Sequence, residues 1–589
     1  MSHLDLGIIG NSTIAALIDT DARINWLCLP KIDGDPIFDA LLGGKGSFGI
    51  WMEGRISSEQ IYESNTAILR TRLIDKSGAI LDVLDFAPYF LKRGRSFQPA
   101  NFVRELKVIK GSPQIRIEIN AQAEWGSREI EPKRGVHHIG YETENGGFRV
   151  TTTAPVSHVL SGTTFVLDSD VSFICGPDET ITENVNFIAR DWRERTADYW
   201  KRWTRNLTVP PDWQTAVIRA AITLKLCVFE ETGGVVAALT TSIPEHAGSE
   251  RNWDYRLCWI RDAYFSVTAL NRLSSMETLE HYMRFLRSVV AQAKGGHIQP
   301  VYGIGLEIDL TEKIAKNLPG YRGFGPVRRG NQAAEHIQHD VYGQIILAAT
   351  QAFMDERLLS KVGIADFEQL EPVGERAFAV HDTPDAGIWE FRTLAYVHTS
   401  SAIMCWAACD RLSKIAAHLK LTKKSTYWAE RAKIIHNHIL ANAFNEEINA
   451  FTASYGGNSL DASVLLMAEI GFLPATDPRY IGTVKAVDRH LREGNHIYRY
   501  KTEDDFGRPE TAFTACTFWH IDALFRIGRE SEAREMFEAI LEQRNHLGLL
   551  SEDVDPKTSE LWGNYPQTYS MVGIINSANL MSRKWTDIL

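Results

Sequence analysis

The stretch "PPDWQTAVIRAAITLKLCV", residues 210–228, marks the point where the hydrophobic pattern of the chain changes its period. Its apolar residues recur at intervals of three and four positions, as on one face of an α-helix: Val217, Ala221, Leu224 and Val228. The two prolines interrupt the chain just before it, and Asp212 is of a type that caps helix N-termini. The patterns on the two sides of this stretch differ, so it divides the chain into two predicted parts.

Upstream of this stretch, apolar residues alternate with polar ones. In "FVRELKVIKGSPQIRIEIN", residues 102–120, Ile115, Ile117 and Ile119 each follow a polar residue, which is the period of two expected of a half-buried strand. Gly111 and the two residues after it break the alternation and predict a hairpin-like turn. Because such segments follow one another with turn residues between them, residues 1–190 are predicted to form an antiparallel β-sandwich.

Downstream, the patterns are nearly all helical. Residues 191–211 continue a charged amphipathic stretch and are predicted to be a helical linker. Residues 530–544 are apolar on one face, as an outer helix is, whereas residues 510–528 are apolar nearly all round, as a buried inner helix is. Residues 212–589 have room for about twelve helices with their connections. Buried and amphipathic helices alternating in that number predict a double ring, an (α/α)6 barrel.

The composition argues against several classes of function. The 589 residues carry a formal net charge of −11, and a nucleic-acid partner would need clustered Lys and Arg. No apolar window approaches about 18 residues, and the first residues lack the basic segment of a signal peptide, so neither a membrane span nor secretion is expected. Scattered cysteines in apolar segments indicate buried free thiols in a reducing cytoplasm: Cys28, Cys175, Cys227, Cys258, Cys405, Cys409 and Cys516.

Four segments combine charged groups with aromatic rings or glycines, and each has a plain structural interpretation beside a functional one. The first is "WDYRLCWIRDAYF", residues 253–265. If this segment were helical, Tyr255, Trp259 and Asp262 would share one face. Its plain interpretation is a buried ion pair between Arg261 and Asp262 that braces two helices.

The second and third segments each hold a candidate catalytic carboxyl. In "DTPDAGIWEFR", residues 382–392, turn residues precede Trp389, Glu390 and Arg392, and the plain interpretation is an exposed glutamate at a helix start. The segment "HLGLLSEDVDPKTSELWGNYPQTYS", residues 546–570, is either a solvated acidic loop or part of a site. Its carboxyls belong to Glu552, Asp553, Asp555 and Glu560.

The fourth segment, "GYRGFGPVRRGNQAAEHIQHDVYGQ", residues 320–344, is basic and rich in glycine. His336 and His339 have a spacing found in metal sites, but two histidines alone are a weak signal for a metal. Contact of Arg328 or Arg329 with a sugar or a phosphate is the preferred interpretation.

Together the four segments predict a carbohydrate-binding pocket. Aromatic rings stack on the C–H faces of sugars, while Arg and Asp side chains bind pairs of hydroxyls. Two carboxyls cleave a glycosidic bond, one by protonating the leaving oxygen and the other by activating water or attacking carbon. Glu390 and Glu552 are 162 residues apart (552 − 390), so the sequence does not reveal their separation in space.

The motifs in and around these segments resemble those of glycoside hydrolase family 15, the glucoamylase-like family. The chain is similar to the bacterial and archaeal branch, which includes glucoamylase-type α-glucosidases and α,α-trehalases. The resemblance covers nearly the whole chain, because the matching motifs follow one another in order: "IGNSTIAALIDTDARINWLCLPKIDGDPIFDALL", "RNWDYRLCWIRDA", "IQPVYGI", "GYRGFGPVRRGNQA", "DAGIWEFR", "SYGGNSLDASVLL" and "GLLSEDVDPKTSELWGNYPQTYS".

This resemblance implies a β-sandwich followed by an (α/α)6 barrel, and hydrolysis with inversion of the anomeric centre. By motif match Glu390 is the general acid and Glu552 the general base, with a water between them. Trp389 is expected to exclude water from the acid and so raise its pKa, whereas the base must stay ionised. No metal or organic cofactor is implied. The residues expected to bind substrate are Tyr255, Trp259, Arg261, Asp262, Trp389, Arg392 and Arg328.

Two positions depart from the family pattern. Ala402 follows "HTSS", where many relatives carry a lysine, and Gln344 ends "DVYGQ", where a glutamate is common. Both are expected on the leaving-group side of the site, so the resemblance does not imply which second sugar is accepted.

The first hypothesis is therefore an exo-acting, inverting α-glucosidase that releases glucose from the non-reducing end of small α-glucosides. The alternative within the family is an α,α-trehalase. An inverting sugar phosphorylase and a non-catalytic sugar-binding protein are further alternatives, against which the presence of both Glu390 and Glu552 argues. The expected partner is an α-glucoside disaccharide or oligosaccharide, and a homo-oligomer is left open.

Overall fold

Residues 4–177 form antiparallel β-sheets. The structure is a computed structural model that describes residues 4–143, 146–293, 296–359 and 361–588. A short helix, Val156–Ser161 (α1), lies among the strands. In chain order the strands are Leu6–Gly10 (β1), Ala15–Asp19 (β2), Ile24–Leu29 (β3), Asp35–Phe38 (β4), Ser47–Met52 (β5), Arg55–Tyr62 (β6), Leu69–Asp75 (β7), Ile80–Phe86 (β8), Phe90–Lys92 (β9), Arg95–Phe97 (β10), Phe102–Lys110 (β11), Gln114–Asn120 (β12), Gln122–Ala123 (β13), Arg128–Glu129 (β14), Lys133–Arg134 (β15), His138–Thr143 (β16), Gly146–Thr152 (β17), Phe165–Val166 (β18) and Val171–Pro177 (β19).

Two large sheets make up the β-sandwich that the sequence predicts. One has the order β1–β2–β3–β5–β12–β18, with β4 paired to β3, and the other has the order β15–β16–β17–β19–β11–β8–β7–β6. In β12 the alternation has the expected result, since Ile115 and Ile117 are buried while Arg116 and Glu118 are partly exposed. Apolar side chains from both sheets form the core between them.

The hairpin predicted at residues 111–113 is wrong. The strand before it, β11, pairs with β8 and β19, and the strand after it, β12, pairs with β5 and β18 in the other sheet. An alternating pattern determines which face of a strand is buried, but not which strand lies beside it. The turn at Gly111, whose φ is 73°, carries the chain from one sheet to the other.

A buried ion pair joins the two sheets. Arg104 of β11 lies opposite Asp85 of β8, and its guanidinium binds both oxygens of that carboxylate at 2.7 and 3.0 Å. Another guanidinium nitrogen donates to the carbonyl oxygen of Phe48, in the facing sheet, at 2.9 Å. Both charged side chains are fully buried, so each needs the other to offset the cost of leaving water.

The linker helix starts earlier than the predicted residues 191–211. It spans Val185–Arg205 (α2) and lies against β19, β9 and β11. Its start is determined by Asn184, whose side chain accepts a hydrogen bond from the backbone N–H of Phe187 at 3.1 Å. The prediction overlooked this cap.

Asp212 does not cap the next helix, contrary to the prediction. That helix, Gln214–Leu226 (α3), follows Trp213, which occupies the N-cap position with a φ of 55°. The Asp212 carboxylate instead accepts hydrogen bonds from Arg583, from the side chain at 2.7 Å and from the backbone at 2.9 Å. The contact ties the start of the helical part to its end.

The described residues after α2 contain twelve helices in two concentric rings, so the predicted (α/α)6 barrel is confirmed. Six inner helices (α4, α6, α8, α10, α12 and α14) contact one another in a closed circle, with the 3-10 turn Ala462–Leu466 completing the short α10, and the other six lie outside them. After α3 the helices are Ile260–Arg272 (α4), Met276–Ala293 (α5), Asp340–Met354 (α6), Ile364–Val380 (α7), Thr399–His418 (α8), Thr422–Asn442 (α9), Met467–Ile470 (α10), Pro478–Leu491 (α11), Thr514–Arg526 (α12), Glu530–Glu542 (α13) and Thr568–Met581 (α14).

Two-residue strands and 3-10 turns lie between these helices. The strands are Val228–Phe229 (β20), Gly234–Val235 (β21), Cys258–Trp259 (β22), Val301–Tyr302 (β23), Lys313–Ile314 (β24), Arg328–Arg329 (β25), Phe444–Asn445 (β26), Ala450–Phe451 (β27), Arg492–Glu493 (β28), His496–Ile497 (β29), Ala512–Phe513 (β30), Asp553–Val554 (β31) and Leu561–Trp562 (β32). The other 3-10 turns are Ala40–Leu42, Gln332–Glu335 and Trp585–Asp587.

The two helices used for the prediction differ in burial as expected. The inner helix α12 is buried on nearly all sides, whereas α13 buries one face. All seven cysteines are buried and unpaired, as predicted. In the part of the chain that the structure describes, no helix has the length and apolarity needed to cross a membrane.

The buried pair in the sandwich generates a stability prediction. We expect Asp85→Asn to lower the free energy of unfolding by about 3–5 kcal/mol, because Arg104 would remain buried without its counter-charge. The matched control is Asp82→Asn on the same strand, whose partner Arg72 is 28% exposed. This control should cost less than Asp85→Asn, because Arg72 is left with access to water whereas Arg104 is not. Urea denaturation followed by circular dichroism measures both, and equal losses would contradict the prediction.

Candidate active site

A cavity that opens to solvent lies at one end of the barrel. An outer helix returns the chain between successive inner helices, so the inner helices run parallel and the loops that lead into their N-termini gather at one end. Residues that precede or begin α4, α6, α8, α12 and α14 line the cavity. All four segments chosen from the sequence therefore contribute residues to the walls of the cavity, although they are far apart in the chain.

Tyr255 and Trp259 hold the two candidate catalytic carboxyls. Their rings meet edge to face, with centroids 5.3 Å apart. The Tyr255 hydroxyl donates to Oε1 of Glu552 at 2.6 Å, and the Trp259 indole N–H donates to Oε1 of Glu390 at 2.6 Å. The two glutamates are therefore each bound by one member of a single aromatic pair.

This aromatic pair does not arise from a shared helix face, as the sequence had suggested. The chain is extended up to β22, and α4 begins only at Ile260. Pairing of β22 with β23 keeps Cys258 and Trp259 in a strand. A contact with a strand over forty residues away in sequence thus overrides the helical pattern of the segment.

Arg261 lies beside Glu390. Its Nη1 is 3.5 Å from Oε1 of Glu390 and donates to the carbonyl oxygen of Ile388 at 2.7 Å, while its Nε donates to Asp262 at 3.0 Å. Burial raises the pKa of Asp262, and the Arg261 guanidinium opposes that shift. The adjacent pair is the buried ion pair of the plain interpretation, and both residues also line the cavity.

Glu390 has a strained backbone. Its φ is 63°, in the left-handed region that residues with a side chain rarely adopt. Gly387, with a φ of 67°, makes the turn before it, and a Cβ there would be 2.6 Å from the ring of His398. The next helix, α8, begins at Thr399, so Glu390 is not the helix-start residue of the plain interpretation.

Glu552 is buried behind Tyr255 and is not among the residues that line the cavity. Gly563 leaves room for it, since a Cβ at that position would lie 2.7 Å from the Cβ of Glu552 and 2.8 Å from its Oε2. Burial, and then the negative charge of Glu245, raise the pKa of Glu552 to about 8, although Tyr255 and Arg499 act in the opposite direction. Desolvation therefore opposes the ionised form that the role of general base requires of Glu552.

Glu245 and Asp553 crowd Glu552 with negative charge. Glu245 lines the cavity and accepts a hydrogen bond from Arg499 at 2.5 Å, and Arg251 is 3.8 Å from the same carboxylate. Burial, and then Glu245, raise the pKa of Asp553 well above its usual value. The negative charge of these neighbours thus adds to burial in disfavouring the ionised forms of Glu552 and Asp553.

Of the remaining predicted residues, Trp389 and Arg392 line the cavity and Arg328 does not. The Trp389 indole N–H donates to Asp461 at 2.7 Å. Glu390 is thus contacted by the indole of Trp259, whereas the sequence had suggested Trp389 as its neighbour. Trp389 instead packs among aromatic rings at the cavity wall, with Phe513 at 5.3 Å.

Arg328 and Arg392 clamp Trp253 between their guanidinium groups. The two guanidinium carbons lie 4.9 and 4.4 Å from the ring centroid, and the two groups bind the carboxylate of Glu312 at 2.7 and 3.0 Å. Cation–π contacts combined with ion pairs hold the ring in place. Arg328 therefore positions an aromatic wall of the cavity and does not itself reach the cavity.

A turn that we call the strap, residues 504–507, joins two walls of the cavity. On one side Asp504 binds Arg251. On the other side Asp505 accepts hydrogen bonds from the backbone N–H groups of Arg392 at 2.6 Å and Thr393 at 3.1 Å. The ring of Phe506 meets that of Trp253 with centroids 5.0 Å apart. The strap thus connects the wall before α4 to the segment that carries Glu390.

Ala402 and Gln344 lie in the inner ring and do not line the cavity. Gln344 donates to Asp340 at 2.7 Å within α6. Burial raises the pKa of Asp340, and the positive charge of Arg261 opposes that shift. The two departures from the family pattern therefore belong to the packing of the barrel core, and the expectation that they lie beside the leaving group is not met.

The sequence interpretation missed the strap, Glu245 and Trp253. The signal for the strap was "YKTEDDFGRPE", residues 500–510, which combines acids, aromatic rings and glycine as the chosen segments do. Other lining residues were also missed: Arg251, Asn331, His336, Arg499, Phe513, Gln567 and Tyr569.

Two family profiles match the chain, one for each of its parts. Glycosyl hydrolases family 15 matches residues 212–579, and a profile described as trehalase-like, N-terminal, matches residues 4–174. A trehalase from Thermoplasma volcanium is 29% identical over 582 residues, covering 97% of this chain and 92% of that protein. A trehalase from Thermoplasma acidophilum is 31% identical over 578 residues, covering 95% and 97%.

The fold is similar to that of a solved enzyme. A crystal structure of a bacterial glucoamylase complexed with acarbose superimposes with a TM-score of 0.69 at 13% identity, covering 98% of this chain and 94% of that chain. At this identity the similarity concerns the fold alone. The family profile, by contrast, matches more than half of the sequence. The chain belongs to glycosyl hydrolases family 15 and is a glycoside hydrolase.

Proposed function

We propose that this protein is an α,α-trehalase, which hydrolyses the bond between the two glucose units of trehalose. The observation that carries the proposal is the match to proteins named trehalase over nearly the whole chain, sandwich and barrel alike. From the sequence, an α-glucosidase acting on small oligosaccharides was the first hypothesis, and α,α-trehalase was the alternative. The trehalase-like N-terminal part now favours the alternative.

The residues that line the cavity favour a short substrate that has sugar hydroxyls at both ends. Arg261 and Asp262 are suited to bind the hydroxyls of one glucose. Further charged groups line the cavity next to the strap: Arg251, Arg392, Asp504 and Asp505. The strap is hydrogen-bonded to two walls of the cavity, so its position there is fixed. Such a site suits a disaccharide of two glucoses better than the end of a long glucan.

The proposed reaction uses the two glutamates that accept hydrogen bonds from the aromatic pair, Glu390 from Trp259 and Glu552 from Tyr255. Glu390 donates its proton to the glycosidic oxygen as the bond from that oxygen to the anomeric carbon breaks. Glu552 takes a proton from a water whose oxygen forms the new bond to that carbon from the opposite face. One glucose therefore leaves as the β-anomer and the other, whose own anomeric bond is untouched, as the α-anomer.

The substrate test compares glucose release from trehalose, maltose, isomaltose and maltotriose. We expect kcat/KM for trehalose to exceed the others by roughly 100-fold or more, since a site built to bind hydroxyls at fixed positions discriminates strongly against misplaced ones. Efficient hydrolysis of maltose and maltotriose would instead restore the α-glucosidase hypothesis. A preparation of Glu390→Gln serves as the control for contaminating glycosidases.

The catalytic roles are tested by amide substitutions and by product stereochemistry. Glu390→Gln and Glu552→Gln should each lower kcat by about 10²–10⁴-fold, the usual contribution of acid–base groups, whereas Glu530→Gln on the exposed surface of α13 should not. Proton NMR of the first products from trehalose should show equal amounts of α- and β-glucose. α-Glucose alone would exclude inversion, and a rate that depends on inorganic phosphate would indicate phosphorolysis.

The raised pKa of Glu552 predicts a pH dependence. A base acts only when deprotonated, so kcat/KM should fall as the pH drops below about 8, the pKa of Glu552. Glu245→Gln removes the negative neighbour and releases Arg499 toward Glu552, and both effects lower the pKa of Glu552. We therefore expect the acidic limb of the kcat/KM profile to move to lower pH in this variant.

The matched control for this profile is Glu250→Gln, an exposed residue of the same segment. Its acidic limb should coincide with that of the wild type when kcat/KM is measured from about pH 5 to about pH 9. An acidic limb that stays in place in Glu245→Gln would contradict the assignment of this limb to Glu552.

A further inference from the structure

Three side chains with metal-binding groups meet outside the cavity, where α7 ends beside α9. They are His381 and Asp382, directly after α7, and His438 on α9. One ligand atom from each residue lies within 4.8 Å of those of the other two. None of the three lines the cavity described above.

The ring of His381 is oriented as in many metal sites. Its Nδ1 is 2.6 Å from the carbonyl oxygen of Phe378. A carbonyl oxygen only accepts, so Nδ1 carries the proton and Nε2 keeps its lone pair. Histidines that bind metals commonly make this contact with their second nitrogen, which fixes the tautomer and the direction of the ring.

His438 supplies a second imidazole, and one of its ring nitrogens makes no hydrogen bond to the described residues. Its Nδ1 is buried and has no hydrogen-bond partner among the described residues, and the same is true of the nearby Tyr455 hydroxyl. The ring centroids of His438 and His381 are 5.3 Å apart, and that of Tyr455 is 5.4 Å from His438. Buried polar atoms without a partner are uncommon, and an ion is one way to satisfy them.

We propose that His381, Asp382 and His438 bind a divalent transition-metal ion of the zinc class. Two imidazoles and one carboxylate suit Zn²⁺ and its neighbours, whereas Ca²⁺ and Mg²⁺ prefer oxygen ligands alone. Ligand bonds of about 2.0–2.2 Å at a tetrahedral ion place ligand atoms about 3.4 Å apart. The three atoms, which lie within 4.8 Å of one another, would therefore approach by up to about 1.4 Å on binding. A fourth position remains for water.

The site would stabilise the segment that carries Glu390. This segment leaves α7 at His381 and is closed by two isolated bridges, one between Asp385 and Tyr396 and the other between His398 and Ser454. A metal would join α7 to α9 at the point where the segment begins. Its role is structural, because the ion lies outside the cavity and touches no reacting atom.

The test uses the full chain, stripped of metal with a chelator and titrated with Zn²⁺ by isothermal calorimetry. We expect one ion per chain and a higher melting temperature when Zn²⁺ is present, since a ligand of the folded state stabilises it. Co²⁺ should bind to the same site with visible absorption bands that report direct coordination by nitrogen and oxygen.

We expect Zn²⁺ binding to weaken in each of three variants: His381→Ala, Asp382→Asn and His438→Ala. Removing a residue that only hydrogen-bonds to a metal ligand weakens metal binding by roughly 10–100-fold, so removing the ligand itself should weaken it by more. The control is His490→Ala on the exposed face of α11, which should bind as the wild type does. Asp382 is exposed, so its variant tests the site even if a histidine variant folds poorly. Absence of binding at micromolar Zn²⁺, or equal binding by wild type and Asp382→Asn, would overturn the proposal.

Discussion

The active-site geometry depends on how the segment before α4 is braced. Asp254 and Arg256 form a fully buried ion pair at 2.8 Å on either side of Tyr255. Arg256 also donates to the carbonyl oxygen of Gly34 in the sandwich at 2.7 Å. A guanidinium keeps its charge when it is buried and is therefore stable only with such partners, so the segment cannot shift without exposing or unpairing Arg256. Tyr255 is therefore held at the junction of sandwich and barrel.

The sandwich also supports the second carboxyl. The side chain of Asn545 donates to the carbonyl oxygens of Leu4 and Leu6, and the Tyr565 hydroxyl donates to Leu6 at 2.6 Å. These contacts flank the loop that carries Glu552. The N-terminal part thus contributes no lining residue to the cavity, yet it fixes the position of the segments that carry the aromatic pair and the base.

Local patterns in the sequence predicted the classes of structure well and the pairing of elements poorly. The period of two and the period near 3.6 identified sandwich and barrel, because they depend only on which face of an element is buried. The turn at Gly111 was misread as a hairpin because its strands enter opposite sheets, which the alternation does not encode. Asp212 was misread as a cap because its partner, Arg583, lies at the other end of the chain.

For the site, residue types alone indicated a sugar pocket with two carboxyls, and the family resemblance supplied the candidate roles of Glu390 and Glu552. Neither could show that the strap is hydrogen-bonded to both walls or that the Arg328 guanidinium packs on the ring of Trp253. These contacts join segments as far as 253 residues apart, for example Arg251 and Asp504, and form only when the barrel closes.

By itself the sequence determined the fold class, the division of the chain and the chemical nature of the pocket, because each follows from local periodicity and from which residue types occur together. The tertiary structure alone decided the surroundings that raise the pKa of Glu552. The burial of this carboxyl depends on every segment that excludes water from it. The charge of Glu245, which also raises the pKa of Glu552, belongs to a residue over 300 positions away in the sequence (552 − 245 = 307). Desolvation and long-range charge are properties of the folded chain, and no local pattern encodes them.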